Sequence, residues 1–215
     1  MKQEAKRIFD GLLERLPEIK NNGGDILSLF ELLSQCYSRG GKLLLCGSGG
    51  SAADSGHIAG ELMKGFLLKR PVPSDVETAL ARMFPEDGRR IAACLQQALP
   101  AISLPDQTSV MTAFANDVAA DMAFAQLTYG YGKPGDVLLG ISTSGNSAGV
   151  VNAAKTAKAL GLGVAGLTGS GGGKLASLCD AVFKAPSNET YRIQEYHLCV
   201  YHALCAMLEH EFFGE

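Results

Sequence analysis

The chain has 215 residues, 47% hydrophobic and 19% charged, a globular composition long enough for one large domain with its own core. Its net charge of −3, with no run of Lys or Arg, gives no general attraction to nucleic acid or to an anionic membrane, so neither is an expected partner. No stretch approaches the roughly 18 apolar residues of a membrane span, and the opening MKQEAKRIFDGLLERL lacks the apolar run of a signal peptide, so a cytoplasmic protein is expected.

Two helical patterns come first, at about 4–16 and 26–39, separated by NNGGD. Asp25 is expected to cap the second, and Gly40-Gly41 to end it. KLLLC at 42–46 is a short apolar run bounded by glycine, as a buried parallel strand should be. A glycine-rich turn follows, then a helix at about 51–66. Gly47-x-Gly49-x-x-Ala52 has the spacing of a dinucleotide fingerprint, but about 20 residues on, where an acidic residue should hold the ribose, stands the basic MKGFLLKRP. A P-loop is excluded as well. Gly171-Gly172-Gly173-Lys174 has no glycine at the required distance before it, and Leu175 replaces the Ser/Thr. The first loop therefore reads as one that brings backbone close to some other ligand, with the hydroxyls of Ser48 and Ser51 beside it. On the helix after it, His57 and Glu61 share a face at four-residue spacing. Such a pair can hold a metal ion or act as acid and base, but taken alone a simple His–Glu contact is the more common reason for it, and a metal site needs two further ligands.

Residues 68–105 hold five prolines, two helices at about 75–83 and 87–99, and a possible strand at 101–104; they read as a helical insertion on the sheet. Residues 108–129 are mainly helical. The strand-turn-helix unit then recurs: strand 136–142 and helix 148–160, strand 163–169 with a short helix through Leu178, strand 181–186 and a closing helix 191–212. The fold class is α/β: a doubly wound, flavodoxin-like parallel sheet with N-terminal helices and a helical insertion, in a single domain spanning 1–215. In such sheets ligands bind beyond the carboxyl ends of the strands.

The turn ISTSGNS carries Ser142, Thr143, Ser144 and Ser147 between a strand and a helix. Hydroxyls, free N–H groups and the positive end of the helix dipole make an anion site without a fixed cation, and a phosphate is the natural occupant. An N-cap by Asn146 or Ser147 is the plainer alternative, but four hydroxyls exceed what a cap needs. The six cysteines form no C-x-x-C pair and read as buried free thiols.

Leu45-Cys46-Gly47, the ISTSGNS turn and RIQEYHLCVYH together resemble the sugar isomerase (SIS) domain family, and within it the phosphoheptose isomerases. The resemblance covers nearly the whole chain outside the proline-rich middle. It implies an aldose-ketose isomerase acting on a sugar phosphate through a metal-assisted enediolate, most simply sedoheptulose 7-phosphate to glycero-manno-heptose 7-phosphate. It further implies Ser142, Thr143, Ser144 and Ser147 as the phosphate cradle, with Ser48, Gly49 and Gly50 in the first loop. Asn116 and Asp117 of FAND would lie near the sugar. The metal ligands would be His57, Glu61, Gln194 and His202, with zinc favoured by these donors. Glu61 is the candidate base and His202 the partner acid. The family's assembly implies a homotetramer with sites at subunit boundaries.

Helix geometry places Gln194 and His202 roughly 12 Å apart, so a shared metal needs long reach or a neighbouring subunit. His197 lies about 140° around the helix from His202 and is expected in packing or a surface hydrogen bond, while His210 reads as a solvated cap. The chain departs from the family at Ser48, Ala52-Ala53, Gly60 and Tyr191, where Asn, His-Cys and two acidic residues are usual. These positions line the sugar end, which leaves two alternatives. One is an isomerase of a different sugar phosphate. The other is a non-catalytic SIS-type sugar-phosphate-binding or replication-regulatory protein, against which the presence of Glu61 and His202 argues.

Overall fold

The computed structural model describes residues 1–214. Five parallel strands form its sheet in the order β2-β1-β3-β4-β5, with β1 Leu43–Cys46, β2 Ala101–Ser103, β3 Val137–Ser142, β4 Gly163–Thr168 and β5 Ala181–Lys184. This is the flavodoxin-like order, and its switch point falls between β1 and β3, where Cys46 pairs with Gly140. The loops leaving those two strands are therefore neighbours.

Helices cover both faces. On one lie α1 Gln3–Arg15, α2 Gly23–Ser38, α3 Gly50–Met63 and α10 Thr190–Phe213. On the other lie α6 Thr108–Phe114, α7 Ala123–Tyr131, α8 Ala148–Ala159 and α9 Gly173–Ala176. The strand pleat divides the core accordingly. Leu43, Leu45, Leu139 and Ile141 join the first cluster, and Leu44, Cys46, Leu138 and Val164 the second. Each such leucine, removed from water, contributes about 1.5–3 kcal/mol. Gly140 lets α8 close on the sheet, since a Cβ there would stand 2.8 Å from Val150 Cγ1.

The expected elements all form, with instructive changes at their ends. A 3-10 turn, Pro17–Asn22, precedes α2, which begins at Gly23, so Asp25 lies within the first turn and does not cap it. Its carboxylate instead accepts from Asn22 Nδ2 at 3.2 Å. Gly40, at φ 76, ends α2 as expected: Gly41 N donates to the Cys36 carbonyl. In the proline-rich region, α4 Ser74–Met83 and α5 Gly88–Cys94 form, but α5 stops well short of residue 99. The chain is pulled away there because Gln96 bridges Pro71 and Gln97 N donates to the Arg70 carbonyl. The helix expected over 108–129 breaks at the π-helical turn Ala115–Ala119 and the 3-10 turn Ala120–Met122, where the Asp121 carbonyl accepts from Asn152 of α8. Of the cysteines, all free, only Cys36, Cys46 and Cys205 are fully buried; Cys94 is exposed at the end of α5, where little packs on it.

One buried clasp fixes the end of α3. Glu209 of α10 accepts N–H bonds from Phe66, Leu67 and Leu68 at 2.8, 2.6 and 3.1 Å, and Arg70 Nε at 2.7 Å. Both side chains are 0% exposed. Burial alone raises the Glu209 pKa, but the Phe66 and Leu67 N–H groups and the Arg70 guanidinium outweigh it and hold the carboxylate below its usual range. Arg70 also donates to the Leu62 and Glu61 carbonyls and covers the Phe213 ring at 4.7 Å. Among the described residues no helix is long and apolar enough to cross a membrane.

Candidate functional site

Two helix N-termini open on the crevice beyond β1 and β3. Helix α3 starts after Gly49, whose φ of 60 and ψ of −125 only glycine adopts readily, and no side chain caps it. Helix α8 starts after Ser147, also without a side-chain cap bond. The N-cap alternative for the second loop is therefore not what its side chains do. Asn146 instead spans the turn, its Nδ2 donating to the Ser144 carbonyl at 3.0 Å and its Oδ1 accepting from Lys174 N at 3.1 Å. The first N–H groups of α8 remain available for an anion, as does Gly50 N of α3, whose Ser51 and Ala52 N–H groups already donate to the Ser48 and Gly49 carbonyls. Ser142 is buried at the floor of this turn, Thr143 and Ser147 are half-buried, and Ser144 is exposed. Gly145, at φ 64, lies so close to Gly172 that a Cβ would strike the Gly172 carbonyl. Ser48, Gly49 and Gly50 are exposed in the neighbouring loop.

Gln194 reaches this first loop. A Cβ on Gly50 would collide with its Nε2, so the amide occupies the space glycine leaves. His202, eight residues on, packs elsewhere along α3: its Nε2 lies 3.3 Å from His57 Nε2, and His57 Nε2 lies 3.3 Å from Glu61 Oε1. Helices α3 and α10 thus run side by side, with Gln194 at the crevice end and the two imidazoles farther down. The α10 rise separates Gln194 from His202 by about two turns, as helix geometry requires, so a shared cation still needs long reach or a neighbouring subunit.

The donor atoms fan out from His57, and among the described residues no group of three or more His, Cys, Asp and Glu side chains converges as a metal cluster. Their chemistry still suits a divalent cation, since two imidazoles and a carboxylate are zinc donors. Both 3.3 Å separations also match the edge of a tetrahedron, about 3.3 Å for bonds near 2.05 Å. Glu61's second oxygen is held by Lys64 Nζ at 3.0 Å. Burial and the neighbouring His57 lower the His202 pKa, which favours its neutral, ligand-ready form. His202 also lines an apolar cavity of about 370 Å³ with Phe66, Leu67 and residues of α1.

Two residues beside this cluster escaped the sequence reading. Tyr201 OH lies 3.0 Å from His57 Nδ1 and 3.3 Å from Asp54 Oδ1. The second Asp54 oxygen is buried without a partner. Burial raises the Asp54 pKa against the opposing hydrogen bond of Tyr201. Burial, with Asp54 adjacent, also raises that of Tyr201, so the phenol keeps its proton. The signal was present: Asp54 stands three residues before His57, on the same helical face, and Tyr201 directly precedes His202.

Asn116 and Asp117 are exposed in the π-helical turn and bond each other at 2.8 Å. Asp117 lines a shallow apolar depression with Val110, Phe114 and Val118. His197 is fully buried, its Nε2 bonded to the Thr168 carbonyl at the end of β4 at 3.1 Å; the packing expectation holds, and a surface hydrogen bond is excluded. A cavity of about 510 Å³ lies at the amino-terminal edge of the sheet around Arg39, Lys42, Lys133 and Asp136, remote from these groups. Its one buried charge is already satisfied, Asp136 accepting from Lys42 N and Nζ.

Residues 77–169 match the family model described as the SIS domain. The chain is 40% identical over 190 residues to a phosphoheptose isomerase of Clostridium acetobutylicum, covering 88% of this chain and 84% of that one. It is 36% identical over 218 residues to one of Nitratidesulfovibrio vulgaris, covering 99% and 92%. Among solved structures it is similar to phosphoheptose isomerase GmhA from Neisseria gonorrhoeae, with a TM-score of 0.69 and 33% identity over 96% of this chain and 93% of that one.

Proposed function

The chain belongs to the phosphoheptose isomerase family and is a sugar-phosphate isomerase, and on that premise we propose that it interconverts sedoheptulose 7-phosphate and glycero-manno-heptose 7-phosphate through an enediolate. The observation that carries the reading is a matched length along α3. From Gly50, at the anion-binding end, to His57 is seven residues, about 10 Å at 1.5 Å per residue. An open-chain heptose 7-phosphate spans about the same distance from phosphorus to C1, given carbon–carbon bonds near 1.5 Å. With its phosphate on the α3 and α8 N-termini and the hydroxyls of Ser142, Thr143, Ser144 and Ser147, its C1 and C2 reach His57, Glu61 and His202. A pentose 5-phosphate held the same way falls about two carbons short.

In this reading Glu61 takes the carbon-bound proton and returns it to the neighbouring carbon, and His202 moves a proton between the two oxygens. Ser48 and Gln194 face the sugar hydroxyls near the first loop. A divalent cation, zinc by the donor set, would be held by His57, Glu61 and His202 and would supply positive charge to the developing enediolate. Asn116 and Asp117, expected near the sugar, have no role assigned within a single chain. The exposed Met83, Val118 and Tyr129 (64%, 66% and 66% exposed) support a homotetramer in which these faces are covered, which light scattering will test.

The test of the reaction is proton exchange at the sugar carbons in deuterated water. Glu61→Gln is expected to lower it by about 10²–10⁴-fold while binding of a phosphorylated sugar stays within about threefold. Unchanged exchange removes Glu61 as base. Binding without exchange in the unaltered protein would favour a non-catalytic sugar-phosphate sensor.

A further inference from the structure

We propose that Asp54 and Tyr201 are positioning residues that fix the tautomer of His57, so that its Nε2 presents a lone pair to the cluster of Glu61 and His202. The inference deepens the reading above and rests on it for the identity of the cation.

The argument is a count of protons. Tyr201 has one hydroxyl hydrogen and two neighbours, Asp54 Oδ1 at 3.3 Å and His57 Nδ1 at 3.0 Å. A carboxylate only accepts, so the phenol donates to Asp54 in a charge-assisted bond. The reverse orientation would leave a phenol lone pair facing a carboxylate in a half-buried site. With its proton committed, the Tyr201 oxygen accepts from His57 Nδ1. The neutral His57 ring is then protonated on Nδ1, the less common tautomer of free imidazole, and bare on Nε2.

That bare nitrogen lies 3.3 Å from Glu61 Oε1, lone pair against lone pair. The contact is unfavourable unless positive charge lies between them, either a metal ion or the second proton of an imidazolium, and the protonation pattern at pH 8 separates the two. The imidazole–phenol–carboxylate chain does for His57 what hydrogen bonding from behind does for metal-binding histidines generally: it fixes the tautomer and orients the ring.

The experiment reads the tautomer directly, by long-range proton–nitrogen NMR correlation on histidine-labelled, metal-free protein at pH 8. The unaltered protein is expected to carry the His57 proton on Nδ1. Tyr201→Phe, which removes the acceptor and keeps the ring packing, is expected to move it to Nε2. Asp54→Ala should do the same by freeing Tyr201 to donate to Nδ1. In a zinc competition assay with a chromogenic chelator, Tyr201→Phe should bind about 10–100-fold more weakly. An Nε2-protonated His57 in the unaltered protein, an unmoved proton in Tyr201→Phe, or equal affinity for zinc in two proteins that both bind it overturns the proposal. Nδ1 protonation in a protein that binds no zinc would retain the relay and remove the cation from the proposed function, so the two failures are separable.

Discussion

Arg70→Met tests the clasp that holds the end of α3. The substitution keeps the volume of the aliphatic stem and deletes the guanidinium, leaving the Glu209 carboxylate fully buried without its cation. Breaking a buried pair from one side costs about 3–5 kcal/mol. Three N–H bonds to Glu209 survive, and the Leu62 carbonyl still accepts from Leu99 N, which places the expected cost toward the lower value. Loss of the bond to the Glu61 carbonyl adds about 1 kcal/mol. The sum, about 4 kcal/mol, corresponds to a fall in Tm of roughly 10 °C for a chain of this size. Urea unfolding at fixed protein concentration measures it, in a cycle with Glu209→Gln and the double variant. A coupling of about 2 kcal/mol is expected, because the double variant has no stranded charge. Single-variant costs that add within about 0.5 kcal/mol, or a loss below about 1 kcal/mol for Arg70→Met, would refute the reasoning.

The other predictions are simpler. Burial lowers the His197 pKa from 6.5 to about 4, so between these values the unfolded chain binds the extra proton and the fold does not. Stability is then full above pH 6.5 and falls by about 3 kcal/mol as pH drops towards 4; His197→Gln should flatten that limb of the urea midpoint against pH, and an unchanged slope would contradict it. Gly145→Ala forces a side chain into a positive φ and against the Gly172 carbonyl, so calorimetry should show at least about tenfold weaker binding of a sugar phosphate. Stripping metal with a chelator should abolish proton exchange without loss of helical signal in circular dichroism, and zinc should restore it; full exchange in stripped protein counts against the cation.

Much of this was legible in the residues. LLLC and VLLGIS are continuous apolar runs because parallel strands are covered on both faces, and the glycines after them mark the crevice. The π-helical break before α7 was not legible, because its cause is a tether from Asn152, more than thirty residues away. Nor was the shortened α5, which yields to a bridge with Pro71. At the site, the spacing of His57 and Glu61 gave their shared face, whereas the pairing of His57 with His202 depends on how α10 lies against α3. The spacing of Asp54 before His57 put both on one face, but the role of Asp54 and Tyr201 is readable only once their distances fix which atom donates.

Helix α10 bears Gln194, Tyr201, His202 and Glu209 within its 24 residues. During synthesis the loops after β1 and β3 leave the ribosome well before any of these. A nascent chain stalled short of residue 190 can collapse around part of its sheet yet owns neither the imidazole partner of His57 nor the anchor for Arg70. On the roles proposed for these side chains, competence arrives late and all together, and a prematurely terminated product is expected to be inert instead of half-active.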